Sequence, residues 1–159
     1  MNGLVAVDAS VALKWVLPAS QETDTEQAGA LLADAIARHD LLVVPPHFFA
    51  EVTNVLYQRV TTKRSDLQLT PADAEDALAT LRKLPLETIT PPELYEIALK
   101  TAQDHRLAGA YDALYLVVAQ VAGCILWTDD RRLLKALDGA LPYARWIHEY
   151  ELGEKGSQR

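Results

Sequence analysis

The sequence predicts an α/β fold with a central parallel sheet of four to five strands, covered by helices on both faces. Short β-branched apolar runs alternate along the chain with longer segments of helical spacing. The runs are apolar throughout, as in strands buried on both faces. Helix-length segments lie between them, and a parallel neighbour can be reached only through such a crossover.

Taken in order, "LVAVDA" (4–9) reads as the first strand and "SVALKWVL" (10–17) as a short helix stopped near Pro18. "ETDTEQAGALLADAIARHD" (22–40) has acids in its first turns and apolar Ala28, Leu31, Leu32, Ala35 and Ile36 at amphipathic spacing. "LLVVPP" (41–46) is a second buried strand ended by prolines. "HFFAEVTNVLYQRVTTKR" (47–64) is a long helix with Phe48, Val52, Val55, Leu56 and Val60 on one side. In "LTPADAEDALATLRKL" (69–84), Thr70 is the expected N-cap, with Pro71 at the first helical position and Asp73 at the third. "LETIT" (86–90) is the third strand, and "PPELYEIALKTAQDHRL" (91–107) a helix opened by prolines. "AYDALYLVVAQVAG" (110–123) is a helix ended at Gly123. "CILWT" (124–128), "DDRRLLKAL" (129–137) and "ARWIHEY" (144–150) complete the order as strand, helix and strand.

The length of 159 residues suits one domain, expected over residues 1–150, with a frayed tail over 151–159. Half the residues are hydrophobic and 23% are charged, a composition typical of globular proteins. No apolar run approaches the roughly 20 residues of a membrane span, so no membrane partner is expected. The opening "MNGLVAVDAS" lacks a basic region and a small-residue cleavage site, so a cytoplasmic location is expected. Cys124 is the only cysteine, which rules out a disulfide framework and a cysteine-rich zinc site. The net charge of −7 argues against bulk electrostatic binding of nucleic acid. It leaves room for a local site where cations offset carboxylates.

Parallel α/β sheets bind ligands beyond the carboxyl ends of their strands, at a topological switch point. The polar residues expected there are almost all acids. Asp8 ends strand one, and Glu51 lies early in the helix after strand two. Asp112 lies in the first turn of the apolar helix, and Asp129 and Asp130 follow strand four. No glycine-rich phosphate loop, HExxH or recognisable Ser-His-Asp set accompanies them. Clustered carboxylates repel one another and lose hydration, and a hard divalent cation relieves both costs. Mg²⁺ or Mn²⁺ suits oxygen-only ligands and activates water against a phosphodiester. Each acid also has a plainer reading. Asp8, Asp129 or Asp130 can cap a helix, Asp112 can favour a helix N-terminus, and Glu51 can face solvent.

Four fragments, "VDAS", "FFAEVTNVL", "YDALYLVVA" and "TDDRRLL", together resemble the PIN-domain ribonucleases, specifically the VapC toxins of toxin–antitoxin pairs. The resemblance runs from about residue 3 to residue 148. It implies a PIN-like three-layer α/β/α sandwich and Mg²⁺- or Mn²⁺-dependent cleavage of RNA. Its catalytic acids correspond to Asp8, Glu51, Asp112 and Asp130, with Asp8 and Asp112 as the main metal ligands. Thr128, Asp130 and Leu133 match the T-x-D-x-x-L turn, which favours Asp130 over Asp129 on register. Ser10 matches a small hydroxyl residue that could orient Asp8.

Related toxins are homodimers inhibited by a VapB-like antitoxin that offers an amphipathic helix and an arginine. Trp15, Leu17, Phe48, Phe49 and Tyr57 are candidates to line its groove, and Tyr111 and Tyr115 to form a dimer face. Core packing explains these aromatics equally well. Arg131, Arg132 and Lys14 are candidates to meet RNA phosphates. Arg59, Lys63 and Arg64 read better as cations at a helix C-terminus. The alternatives are a non-catalytic PIN-like binding module or a different acidic-site phosphohydrolase. Ser10 stands where a haloacid-dehalogenase-type phosphatase needs a second Asp.

Overall fold

The computed structural model describes residues 2–153; the expected tail lies, from residue 154 onward, outside the described residues. Five strands form one parallel sheet: β1 (Leu4–Val7), β2 (Leu41–Val44), β3 (Leu86–Thr88), β4 (Leu126–Thr128) and β5 (Ala144–Trp146). Seven helices connect them: α1 (Ala9–Leu13), α2 (Thr25–Arg38), α3 (Phe48–Thr61), α4 (Pro71–Leu81), α5 (Leu94–His105), α6 (Ala110–Ala122) and α7 (Arg131–Leu137). The expected order of strands and helices is the observed one, with two 3₁₀ turns added at Ala19–Gln21 and Ile147–Glu149.

Strand order is β3-β2-β1-β4-β5. The chain builds outward from β1 through β2 to β3, then returns to the other side of β1 with β4 and β5. Between β1 and β4 the direction of winding reverses, which makes their carboxyl ends the switch point. Asp8 N–H donates to the Trp127 carbonyl at 3.3 Å across this junction.

Local chemistry explains the element ends. Thr70 Oγ1 accepts from Asp73 N–H at 3.1 Å, the predicted cap of α4. Gly123 ends α6 at φ 65°, a left-handed conformation that costs glycine little. The first helix is shorter than "SVALKWVL" suggested. From Lys14 to Val16 the backbone bonds to carbonyls three residues back, so the α-helix tightens and ends before Pro18.

The core holds the sheet against α6. Residues Ala113, Leu114, Tyr115, Leu116, Val117, Val118 and Ala119 are all buried, so this helix is enclosed nearly all round. It packs on β1, β2 and β4. Phe48 at the start of α3 is fully buried, and replacing such a side chain with Ala costs about 3–5 kcal/mol. That packing fixes the first turns of α3 and α6, which carry Glu51 and Asp112.

Candidate metal centre at the sheet switch point

Asp8 leaves β1 in extended conformation (φ −93°, ψ 174°) and caps α1, accepting from Val11 N–H at 3.2 Å. Its two oxygens also accept from the hydroxyls of Ser10 and Thr128. Each hydroxyl accepts in turn from the backbone of the next loop: Asp129 N–H to Ser10 Oγ at 2.9 Å, and Asp130 N–H to Thr128 Oγ1 at 2.9 Å. Ser10 and Thr128 thus tie the β1 and β4 ends together around one carboxylate. Asp8 therefore caps α1 while its carboxylate sits at the junction of the β1 and β4 ends.

Asp130 caps α7, its Oδ1 accepting from Arg132 N–H and Leu133 N–H at 3.0 Å each. Asp112 makes no hydrogen bond or ion pair among the described residues. Glu51 Oε2 accepts from the Tyr115 hydroxyl at 2.7 Å. His47 Nε2 lies 3.5 Å from the same oxygen, yet both ring nitrogens are buried and without a hydrogen bond. Burial lowers the His47 pKa against the pull of Glu51, which disfavours the charged imidazole that would pair with the carboxylate.

The electrostatics bring the four acids together. Burial pushes the Asp8 carboxyl up to about 7; its hydrogen bonds oppose the shift and Glu51 adds to it. Burial, then repulsion from Asp130 and Glu51, pushes Asp112 up to about 6. Tyr115 feels burial first, then Glu51 and Asp8, and its pKa also rises. Asp8, Glu51, Asp112 and Asp130 therefore share one field, with no lysine or arginine paired to any of them among the described residues.

Asp129 differs. Its Oδ2 pairs with Lys14 Nζ at 2.7 Å and its Oδ1 accepts from Trp146 Nε1 at 3.0 Å. It is neither solvated nor free, which separates it from Asp130.

This donor set fits a hard divalent cation: oxygen-only, mutually repulsive and without a cationic partner, with Asp8 buried and the other three acids partly exposed. Among the described residues no three such side chains close on one point as a ready-made metal cage.

Other expectations are corrected. Lys14 is no phosphate ligand: its side chain is 1% exposed and held by Asp129, Glu22 and the Thr23 carbonyl. Arg59 is bound by Gln21 and Glu22, and Arg64 by Asp66. Tyr115 is buried beside Glu51, so it forms no dimer face, whereas Tyr111 is exposed. Phe48 lies wholly in the core and lines no groove. Tyr115 and His47 were missed as site residues. Helical spacing carries the signal: His47 lies four residues before Glu51, and Tyr115 three after Asp112, on the same helix faces.

A five-stranded parallel α/β fold with uncompensated acids at its switch point has the form of a metal-dependent nuclease. The chain belongs to the PIN domain family, whose profile matches residues 5–139. PIN domains are generally nucleases that use divalent metals such as Mg²⁺; they commonly bind RNA and often pair with antitoxins. Among solved structures the chain is similar to the crystal structure of PAE2754 from Pyrobaculum aerophilum. The TM-score is 0.64 and the identity 22%, covering 93% of this chain and 92% of that one. That likeness supports the fold. No curated protein matches significantly in sequence. Among the described residues no helix is long and apolar enough to cross a membrane.

Proposed function

We propose that this protein is a Mg²⁺- or Mn²⁺-dependent endoribonuclease acting as the toxin of a toxin–antitoxin pair. One observation carries the nuclease reading: buried Asp8 and half-buried Asp112, more than a hundred residues apart in the chain, both face Glu51 with no basic partner among the described residues.

Asp8 and Asp112 would hold the metal, with Asp130 completing the site through water. When bound, the cation supplies positive charge to the phosphodiester oxygens as negative charge builds on them. The rest falls to the chain's own groups. Ser10, Thr128 and Val11 N–H fix the Asp8 carboxylate, so it needs no reorientation. Tyr115 holds Glu51 by Oε2. Glu51 then orients the attacking water and takes its proton as the new phosphorus–oxygen bond forms and the ester oxygen departs.

The toxin role rests on the resemblance of the four motifs. The partner it implies, a basic antitoxin helix, has a candidate surface in a groove lined by Trp15, Leu17, Leu69 and Ala77, with Asp73 and Asp76 beside them. The acidic net charge suits such a partner. A homodimer in the cytoplasm is part of the same reading.

The test is incubation of the purified protein with defined single-stranded RNAs in Mg²⁺, Mn²⁺ or chelator, with the cut ends mapped. Cleavage with metal, none with chelator and none by Asp112→Asn is the expected result. Metal binding without turnover would instead favour a non-catalytic RNA- or protein-binding module.

A further inference from the structure

A second charged feature lies beside the acids. Helix α7 and the edge strand β5 enclose an open cleft of about 710 Å³, lined by Arg131, Arg132, Lys135, Arg145, Trp146 and Glu149 among others. Four of these side chains are cationic and one is anionic, in a protein of net charge −7.

Lys14, Arg38, Arg59, Arg64 and Lys100 each lie within 4 Å of a carboxylate. The cleft is different. Arg131, Arg132 and Lys135 have no carboxylate partner among the described residues, while Arg145 pairs loosely with exposed Glu149 at 3.8 Å. Two of the arginines are steadied by aromatic faces. The Arg131 guanidinium sits 4.6 Å over the Trp146 ring, and Arg145 sits 4.9 Å over Trp127. Arg132 and Lys135, three residues apart on α7, share a helix face.

The cleft adjoins the acid site through the β4–α7 loop. Arg131 follows Asp130 directly, and Trp146 Nε1 is bonded to Asp129. A strand whose scissile phosphate reaches the acids must carry its neighbouring phosphates past an acidic edge that repels them. Cations placed next to that edge offset the repulsion, and guanidinium forks match phosphate oxygens. We infer that the α7–β5 cleft is a phosphate track holding the single strand that flanks the scissile bond. The inference rests on the nuclease reading above.

The test uses the full chain carrying Asp8→Asn, so that RNA stays intact. Binding of a labelled single-stranded RNA is followed by fluorescence anisotropy across a salt series. Arg132→Ala with Lys135→Ala is expected to weaken binding about tenfold or more at low salt. The slope of log affinity against log salt should fall by about 1.4, at about 0.7 per lost phosphate contact. Lys63→Ala with Lys83→Ala, two exposed cations outside the cleft, should change neither. Thermal melts establish that the variants fold. RNA binding that persists with unchanged affinity and slope in the cleft variant overturns the track and leaves the nuclease reading intact. Absence of both RNA binding by this chain and RNA cleavage by the wild type overturns the nuclease reading and the track with it. A polyglutamate peptide that competes as well as RNA overturns the nucleic-acid assignment of the cleft.

Discussion

Around Lys14, two carboxylates close on one buried ammonium: Asp129 at 2.7 Å and Glu22 at 3.5 Å, with Arg59 joining Glu22 at 3.5 Å. Next to this group in the chain, Asp8, Glu51, Asp112 and Asp130 gather with no lysine or arginine. Both groups lie near the carboxyl edge of the same sheet, and both contain acids partly or wholly withdrawn from water. In the first, the fold supplies the counter-charge itself, and the pairs hold α1 to the β4–α7 loop and to the segment before α2. In the second, the fold leaves the charge unbalanced, at the cost of raised carboxyl pKa values at Asp8 and Asp112. Charge neutralisation therefore separates the paired structural acids from those proposed for the metal site better than burial does. Asp129 and Asp130, adjacent in sequence, fall on opposite sides of that line.

The largest effect is expected where the uncompensated acids are altered. Asp8→Asn or Asp112→Asn should reduce metal-dependent RNA cleavage by about 10³-fold or more, the equivalent of several kcal/mol of transition-state stabilisation. In chelator, Asp8→Asn should be at least as stable as wild type at pH 8, because it removes a buried carboxylate and keeps a side-chain oxygen for capping. Marked destabilisation with retained cleavage would make Asp8 a cap alone.

The same charge predicts how stability depends on pH. The Asp8 pKa is raised from 3.8 to about 7 and that of Asp112 to about 6. A raised carboxyl keeps its proton in the folded state after the unfolded chain has lost it. Its stabilising contribution is full below about pH 4 and is lost as pH climbs towards 7. Without metal, the protein should lose on the order of a few kcal/mol across that window. The gain in melting temperature on adding Mg²⁺ should grow from pH 5 to pH 8, because deprotonated carboxylates bind the ion. A Mg²⁺ effect that is flat with pH would remove these carboxylates from the binding site.

On the neutralised side, Lys14→Met should destabilise the fold by about 3 kcal/mol, since it strands Asp129 and Glu22 without their ammonium. A urea midpoint measures it. Stability equal to wild type would mean that the contrast between the two groups is not one of structure against chemistry.

Much of this was legible in the chain before folding. The element order followed from Val-rich runs, from Pro45 and Pro46 after β2, from the Thr70–Pro71 cap and from Gly123, all local signals. The four acids stand out in the chain because each falls at a strand end or in a first helical turn. What escaped was pairing across the chain. Lys14 looked like a phosphate ligand because nothing local shows that Asp129, more than a hundred residues away, closes on it. The shortened α1 depended on 3₁₀ bonds before Pro18, and Tyr115 looked like core or interface because its hydroxyl meets an acid 64 residues back.

That last contact gives the smallest and most discriminating change. Tyr115→Phe keeps the buried ring and removes only the hydroxyl that holds Glu51. Burial, Glu51 and Asp8 all raise the Tyr115 pKa, so the hydroxyl is a donor throughout the working range. A hydrogen bond to a charged group contributes about 1.5–3 kcal/mol. Part of that remains when water replaces the phenol, so kcat should fall about tenfold. KM should hold, because Glu51 acts on the water rather than on the RNA. Melting should change little, since the apolar contacts of the ring persist. A fall in stability at constant kcat would place Tyr115 in the core alone, and leave Glu51 to orient the water without support.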